Sequence, residues 1–99
     1  MAYHDHIKFE WDDAKSERCL RERGFGFADI LPAFADPDRR VEHDDRRDYG
    51  EDRFRLYGRV AGRLFVIVYA KRGAVARIIS ARKGNAREGT WYGEGRSEA

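Results

Sequence analysis

Apolar and charged residues alternate over Ile7-Lys8-Phe9-Glu10-Trp11, the period of a strand that buries one face. Asp12 or Asp13 can then cap a helix running to Arg23, and Gly24 can end it. Gly26 opens a second helix in which Phe27, Ile30, Leu31 and Phe34 make a buried stripe. Pro32 removes a backbone donor there, so this helix is expected to be short or distorted, and Asp36-Pro37 breaks it. Residues 38–52 are almost entirely charged and read as an exposed edge strand or a loop.

Arg53 to Val60 predicts a strand, Ala61-Gly62 a hairpin turn, and Leu64 to Tyr69 a central strand covered on both faces. Arg72-Gly73 turns the chain into a further strand, Val75 to Arg82. A short helix can follow from Asn85, weakened by Gly89. Hairpin links imply antiparallel pairing. The expectation is an α+β fold: an antiparallel sheet of four strands or so, two N-terminal helices and a short C-terminal one. The 99 residues suit one domain, 1–99, with flexible ends at 1–6 and 93–99.

Charge changes the picture more than composition does. Hydrophobic residues make up 41% and charged residues 38%, enough for one modest core under a crowded ionic surface. The net charge of +2 is uneven: residues 1–35 and 36–55 each carry −2, whereas residues 56–99 carry +6. A polyanion would be drawn to the C-terminal half. No apolar run nears the roughly 20 residues of a membrane-spanning helix, and no signal peptide is legible. The lone Cys19 has no disulfide partner, so a reducing, cytoplasmic setting is expected.

No phosphate loop, CxxC pair or HExxH is present. His4-Asp5-His6 and His43 offer too few preorganised ligands, so no metal and no cofactor are expected. Arginines, lysines, carboxylates and tyrosines remain. Strict alternation along Arg77-Ile78-Ile79-Ser80-Ala81-Arg82 would put Arg77 on the face of Ile79, and Ser80 and Arg82 on the face of Ile78. Arginine beside apolar neighbours needs a carboxylate or a ligand phosphate. For Arg77 the carboxylate could be Glu51, Asp52 or Glu88. Metal-free RNA cleavage needs a base for the 2′-hydroxyl, an acid for the leaving oxygen and cations for the phosphorane charge. Arg53, Arg77, Arg82 and Lys15 are candidate cations, and Glu51, Glu88 and Tyr92 candidate proton-transfer groups. Trp91 and Tyr92 can either stack on bases or dock the last helix.

One family resemblance runs through these segments in order. Phe9-Glu10-Trp11-Asp12 with Lys15 and Gly24 resembles the opening of BrnT toxins. Phe27, Phe34 and Asp36-Pro37 resemble their second helix and its exit, and Glu51-Asp52-Arg53-Phe54 with Gly58 their first hairpin strand. The stretch Gly62 to Tyr69 resembles the central strand, Arg77 to Arg82 is the most specific match, and Glu88 and Tyr92 fall on the terminal helix. The resemblance covers roughly residues 7–92. It implies a RelE-like fold, RNA cleavage that arrests translation, and a BrnA-type antitoxin that binds operator DNA. On it, Arg53, Arg77 and Arg82 are expected at the phosphate, Glu51 or Glu88 in proton transfer, and Lys15, Lys83, Arg87 and Tyr92 along the RNA. The family usually has Lys-His-Gly where this chain has Glu22-Arg23-Gly24. That departure leaves a second reading open, a module that binds RNA or its antitoxin without cleaving.

Overall fold

The computed structural model describes residues 7–46 and 48–97, with side chains as far as Glu94. The reading of His4-Asp5-His6 and of a flexible 1–6 lies outside the described residues. Five strands form one sheet: β1 (Lys8–Trp11), β2 (Arg40–His43), β3 (Arg53–Val60), β4 (Arg63–Arg72) and β5 (Val75–Lys83). Their spatial order is β1-β5-β4-β3-β2. Strands β2 to β5 pair antiparallel, but β1 runs parallel to β5, with Lys8 opposite Val75 and Trp11 opposite Ile78. The sheet is therefore mixed and five-stranded, not antiparallel and four-stranded. Two helices and the sheet's own hairpins could not reveal this, because β1 and β5 pair across most of the chain's length.

Helix α1 (Asp13–Arg23) starts at Asp12, whose Oδ1 accepts the backbone N–H of Ala14 and of Lys15 at 2.9 and 3.2 Å. Gly24 ends it in the left-handed region, φ +88°, where glycine meets no steric cost. The second helical segment, Phe27–Ala35, is a 3₁₀ helix and not an α-helix. Its buried row is accordingly Phe27, Ile30 and Ala33, a spacing of three, with Phe34 beside it, while Leu31 is only half-buried. Pro32 lies inside it, and its missing donor accounts for the distortion. The C-terminal helix α2 (Ala86–Ser97) takes in residues 93–97 of the expected loose end.

One face of the sheet is covered. Phe9 and Trp11 of β1, Leu56 of β3, Phe65, Ile67 and Tyr69 of β4, and Ala76, Ile78 and Ala81 of β5 pack against Cys19 and the 3₁₀ helix. Phe34 meets Phe9 and Tyr69 edge-on at 4.9 and 5.1 Å between ring centres, geometry that favours aromatic pairs. The 3₁₀ helix approaches β3 so closely that a Cβ on Gly58 would fall 2.6 Å from the Ala33 carbonyl oxygen. Only glycine fits there.

The opposite face is open except at one end, where α2 lies over Tyr57, Leu64 and Val66. Tyr92 is the anchor. It is 1% exposed, and its hydroxyl donates to Asp36 Oδ2, which also accepts the Arg59 N–H at 2.7 Å. Trp91 sits against Tyr57 at 4.6 Å and carries the Arg40 guanidinium stacked on it at 3.7 Å.

Candidate active site

Strand β3 alternates strictly. Phe54, Leu56, Gly58 and Val60 turn to the core side, so Arg53, Arg55, Tyr57 and Arg59 share the open face. Strand β5 does not alternate strictly. Val68 pairs with Ser80 but Tyr69 pairs with Ile78, so Ile79 is an extra residue in a β-bulge. The bulge overturns the expected division of the arginines. Arg77 opposite Ala70, Ser80 opposite Val68 and Arg82 opposite Val66 all fall on the open face. Arginines of β3 and β5 thus flank β4 from both sides, about 9.5 Å apart across two strand spacings. Between them β4 offers only Val66, Val68 and Ala70.

A groove of about 210 Å³ lies there, lined by Arg23, Arg46, Arg55, Arg82, Ser80, Val66 and Val68. Each groove arginine is held by an acceptor. Arg82 Nη1 and Nη2 donate to the two oxygens of Glu88 at 2.8 and 2.7 Å. Arg55 Nη1 and Nη2 donate to Asp44 and Glu42 at 2.9 and 3.1 Å. Arg46 Nε and Nη2 donate to the two oxygens of Asp44 at 2.7 and 2.9 Å. Arg23 reaches over from the end of α1 and donates to the Ala81 carbonyl at 2.6 Å. Guanidiniums fixed in this way present their remaining donors with little freedom left to lose, which suits a phosphate.

The carboxylates are shifted accordingly. Hydrogen bonding from Arg46 outweighs burial and holds Asp44 at about 2. The Arg82 hydrogen bonds hold Glu88 below the usual range, and Arg72 does the same to Glu51. Burial pushes the Asp36 carboxyl up, but hydrogen bonds from Tyr92, Asp38 and Arg59 win and leave it low. Tyr92 is pushed up by burial and by Asp36.

The residues singled out from sequence fall into separate groups. Arg82 and Glu88 are paired at the groove. Arg53 and Arg77 share its face one row further along, flanking Ala70. Arg77 pairs with Glu10 at 3.1 Å, not with Glu51, Asp52 or Glu88. Arg53 stacks on Tyr49 at 4.0 Å, and its buried Nε, 3.5 Å from Glu51, makes no hydrogen bond. Glu51 belongs to the acidic β2–β3 loop and is engaged by Arg72 at 2.7 Å. Lys15 lines a different cleft, between α1 and the end of β5. Lys83 takes the register position opposite Phe65, on the covered side, and Arg87 is exposed on α2. Tyr92 and Trp91 dock α2; neither is presented for stacking on a base. Sequence reasoning missed Arg23, Arg46 and Arg55 as groove residues. For Arg55 the signal existed, since it shares the period-two face of Arg53.

No group of three or more histidine, cysteine or acidic side chains among the described residues is arranged to hold a metal. No described helix is long and apolar enough to cross a membrane. The fold and groove together define a class: a small α+β protein with an arginine-lined groove on one sheet face. The comparison with known families is more specific. Residues 11–88 match the model of the ribonuclease toxin, BrnT, of type II toxin–antitoxin systems, and the chain belongs to that family. No curated protein matches the chain.

Proposed function

We propose that this BrnT-family chain is a metal-independent endoribonuclease that binds the RNA backbone along β4 and cleaves it in the arginine groove. The supporting observation is four carboxylate- or carbonyl-anchored arginines converging on a small apolar floor. In this reading the RNA 2′-oxygen attacks the adjacent phosphorus as its proton leaves to a base. The bond to the 5′-oxygen breaks and that oxygen takes up a proton. A 2′,3′-cyclic phosphate and a 5′-hydroxyl result, and only RNA can react. Arg82 and Arg55 stabilise the charge that gathers on phosphorus. Arg53 and Arg77 hold the neighbouring backbone, and Arg87, exposed on α2, contributes an outer contact, while Lys15 and Lys83 take no part in this reading.

Glu88 is the proton-transfer candidate beside the groove. A phosphate arriving on Arg82 competes with it, and a carboxylate released from the guanidinium regains basicity. Glu51 is assigned no more than a supporting role, because it sits with Arg72 in the acidic loop. The partner in this reading is a BrnA-type antitoxin, through which the complex binds operator DNA, and the setting is the cytoplasm.

A second reading, binding without cleavage, is favoured by two observations. The groove has no histidine, and both Glu51 and Glu88 are held below the range of an efficient base. One experiment separates the two. Purified, antitoxin-free protein and its Arg82→Ala variant are incubated with labelled RNA in excess EDTA. Discrete fragments from the wild type alone support the metal-independent ribonuclease. Intact RNA in both, with ribosomes added as well, supports the binding module.

A further inference from the structure

Asp44 has no role in the reading above, yet it is the most enclosed carboxylate near the groove. Its side chain is 1% exposed. Its backbone N–H donates to the Arg53 carbonyl at 2.7 Å, which extends the β2–β3 ladder one residue past His43. Its side-chain partners are Arg46 and Arg55, both of them groove-lining. A buried carboxylate is tolerated only when paired, so the three side chains form one unit. The carboxylate takes two of the five donors of Arg46, and Asp44 with Glu42 takes two on Arg55. Both arginines have further donors for a ligand, with Tyr49 beside Arg46 and Tyr57 beside Arg55. An unheld arginine would lose rotamer entropy on binding, whereas these two are already tied to carboxylates.

We propose that Asp44 is a positioning residue for RNA cleavage: it holds Arg55 and Arg46 on the groove wall across β4 from Arg82, so that a phosphate meets guanidiniums already oriented. The inference rests on the groove being the RNA site. It makes Asp44 act through its arginines and never on the substrate itself.

The test uses Asp44→Asn, which preserves shape and removes the charge, with a short single-stranded RNA as the probe. Cleavage should fall by about tenfold or more, as expected when a reacting group is misplaced. The salt dependence of binding should weaken by about 0.7 in log–log slope for each arginine withdrawn from phosphate. The triple variant Asp44→Asn/Arg46→Ala/Arg55→Ala should cleave no more slowly than Arg46→Ala/Arg55→Ala, since Asp44 would have nothing left to position. Tighter RNA binding with an unchanged slope would overturn the proposal, because Asp44 would then be only a negative charge near a polyanion site. A further loss in the triple variant would overturn it equally. If Asp44→Asn does not fold by circular dichroism, Arg55→Lys decides. It keeps the charge but cannot span Asp44 and Glu42 at once, so its cleavage should drop nearly as far as that of Arg55→Ala, and a wild-type rate would sink the idea. Should the wild-type protein itself neither bind nor cut RNA, the reading of the groove fails and takes Asp44's role with it.

Discussion

The two faces of this sheet are made from the same strands and obey opposite rules. The covered face is a row of apolar side chains against the 3₁₀ helix, with Ile67 and Leu56 fully enclosed. The open face is a row of arginines along β3 and β5 with valine and alanine between them. On the first face, energy comes from burial, and a substitution is felt as lost stability. On the second, Arg77 and Arg82 are partly exposed and carboxylate-paired, a pairing that contributes little to folding in water. Those exposed pairs are therefore arranged at small cost to the fold and can be altered at small cost to it, whereas the enclosed Asp44 with Arg55 and Arg46 is the exception. Stability and activity should separate by face.

The sharpest way to break that separation is Ile67→Ala. It should destabilise the protein by about 2–5 kcal/mol in denaturant unfolding. The folded fraction should still process RNA at the wild-type rate. Next comes Arg82→Ala, expected to slow cleavage by about 10²-fold or more while the thermal midpoint shifts little. A large loss of stability in that variant would mean that the Arg82–Glu88 pair holds α2, and the comparison would fail. Two carboxylates tie the open face to the fold, and acid tests them. Asp36 and Asp44 are both held below their ordinary values. Their stabilisation is present above about pH 4 and is lost as the pH falls through their folded-state values, near 2 for Asp44. Unfolding free energy measured across this window should decline as both carboxylates take up protons.

Tyr92→Phe should cost about 1.5 kcal/mol, the lower end for a hydrogen bond to a charged group. Cleavage should persist, because the tyrosine fixes α2 and not the RNA. The smallest effect is expected at the β3–β4 turn, where Ala61 sits at φ +51° beside Gly62 at +81°. Both central positions are left-handed, as in a type I′ turn, so Ala61→Asn should stabilise by a few tenths of a kcal/mol. A calorimetric melt can resolve it, and activity should not change.

Local chemistry carried much of the fold into view from the sequence alone. The Asp12 cap, the Gly24 stop, the Ala61-Gly62 and Arg72-Gly73 hairpins and the fully apolar β4 each depend on neighbours a few residues away. The helix start at Asn85 was legible too, while its capping box, in which Asn85 Oδ1 accepts the Glu88 N–H and Glu88 Oε1 accepts that of Asn85, came only with the structure. The family was legible for the same reason, as an ordered set of short segments. What the tertiary structure alone decided concerns long-range pairing. Whether β1 lies parallel to β5 depends on residues far apart in sequence. The 3₁₀ form of Phe27–Ala35 is set with Pro32 inside it and β3 packed against it. The bulge at Ile79 matters most for function, because strand alternation read from sequence separates Arg77 from Arg82. One unpaired residue reverses that parity, and only the register against β4 reveals it. Arg23, Arg46 and Arg55 come from a helix end, a loop and a strand, and no spacing in the chain predicts that they meet. Their charges lie in the segments that sequence counts as net acidic, since Asp44, Glu42 and their like neutralise the sum without filling the groove.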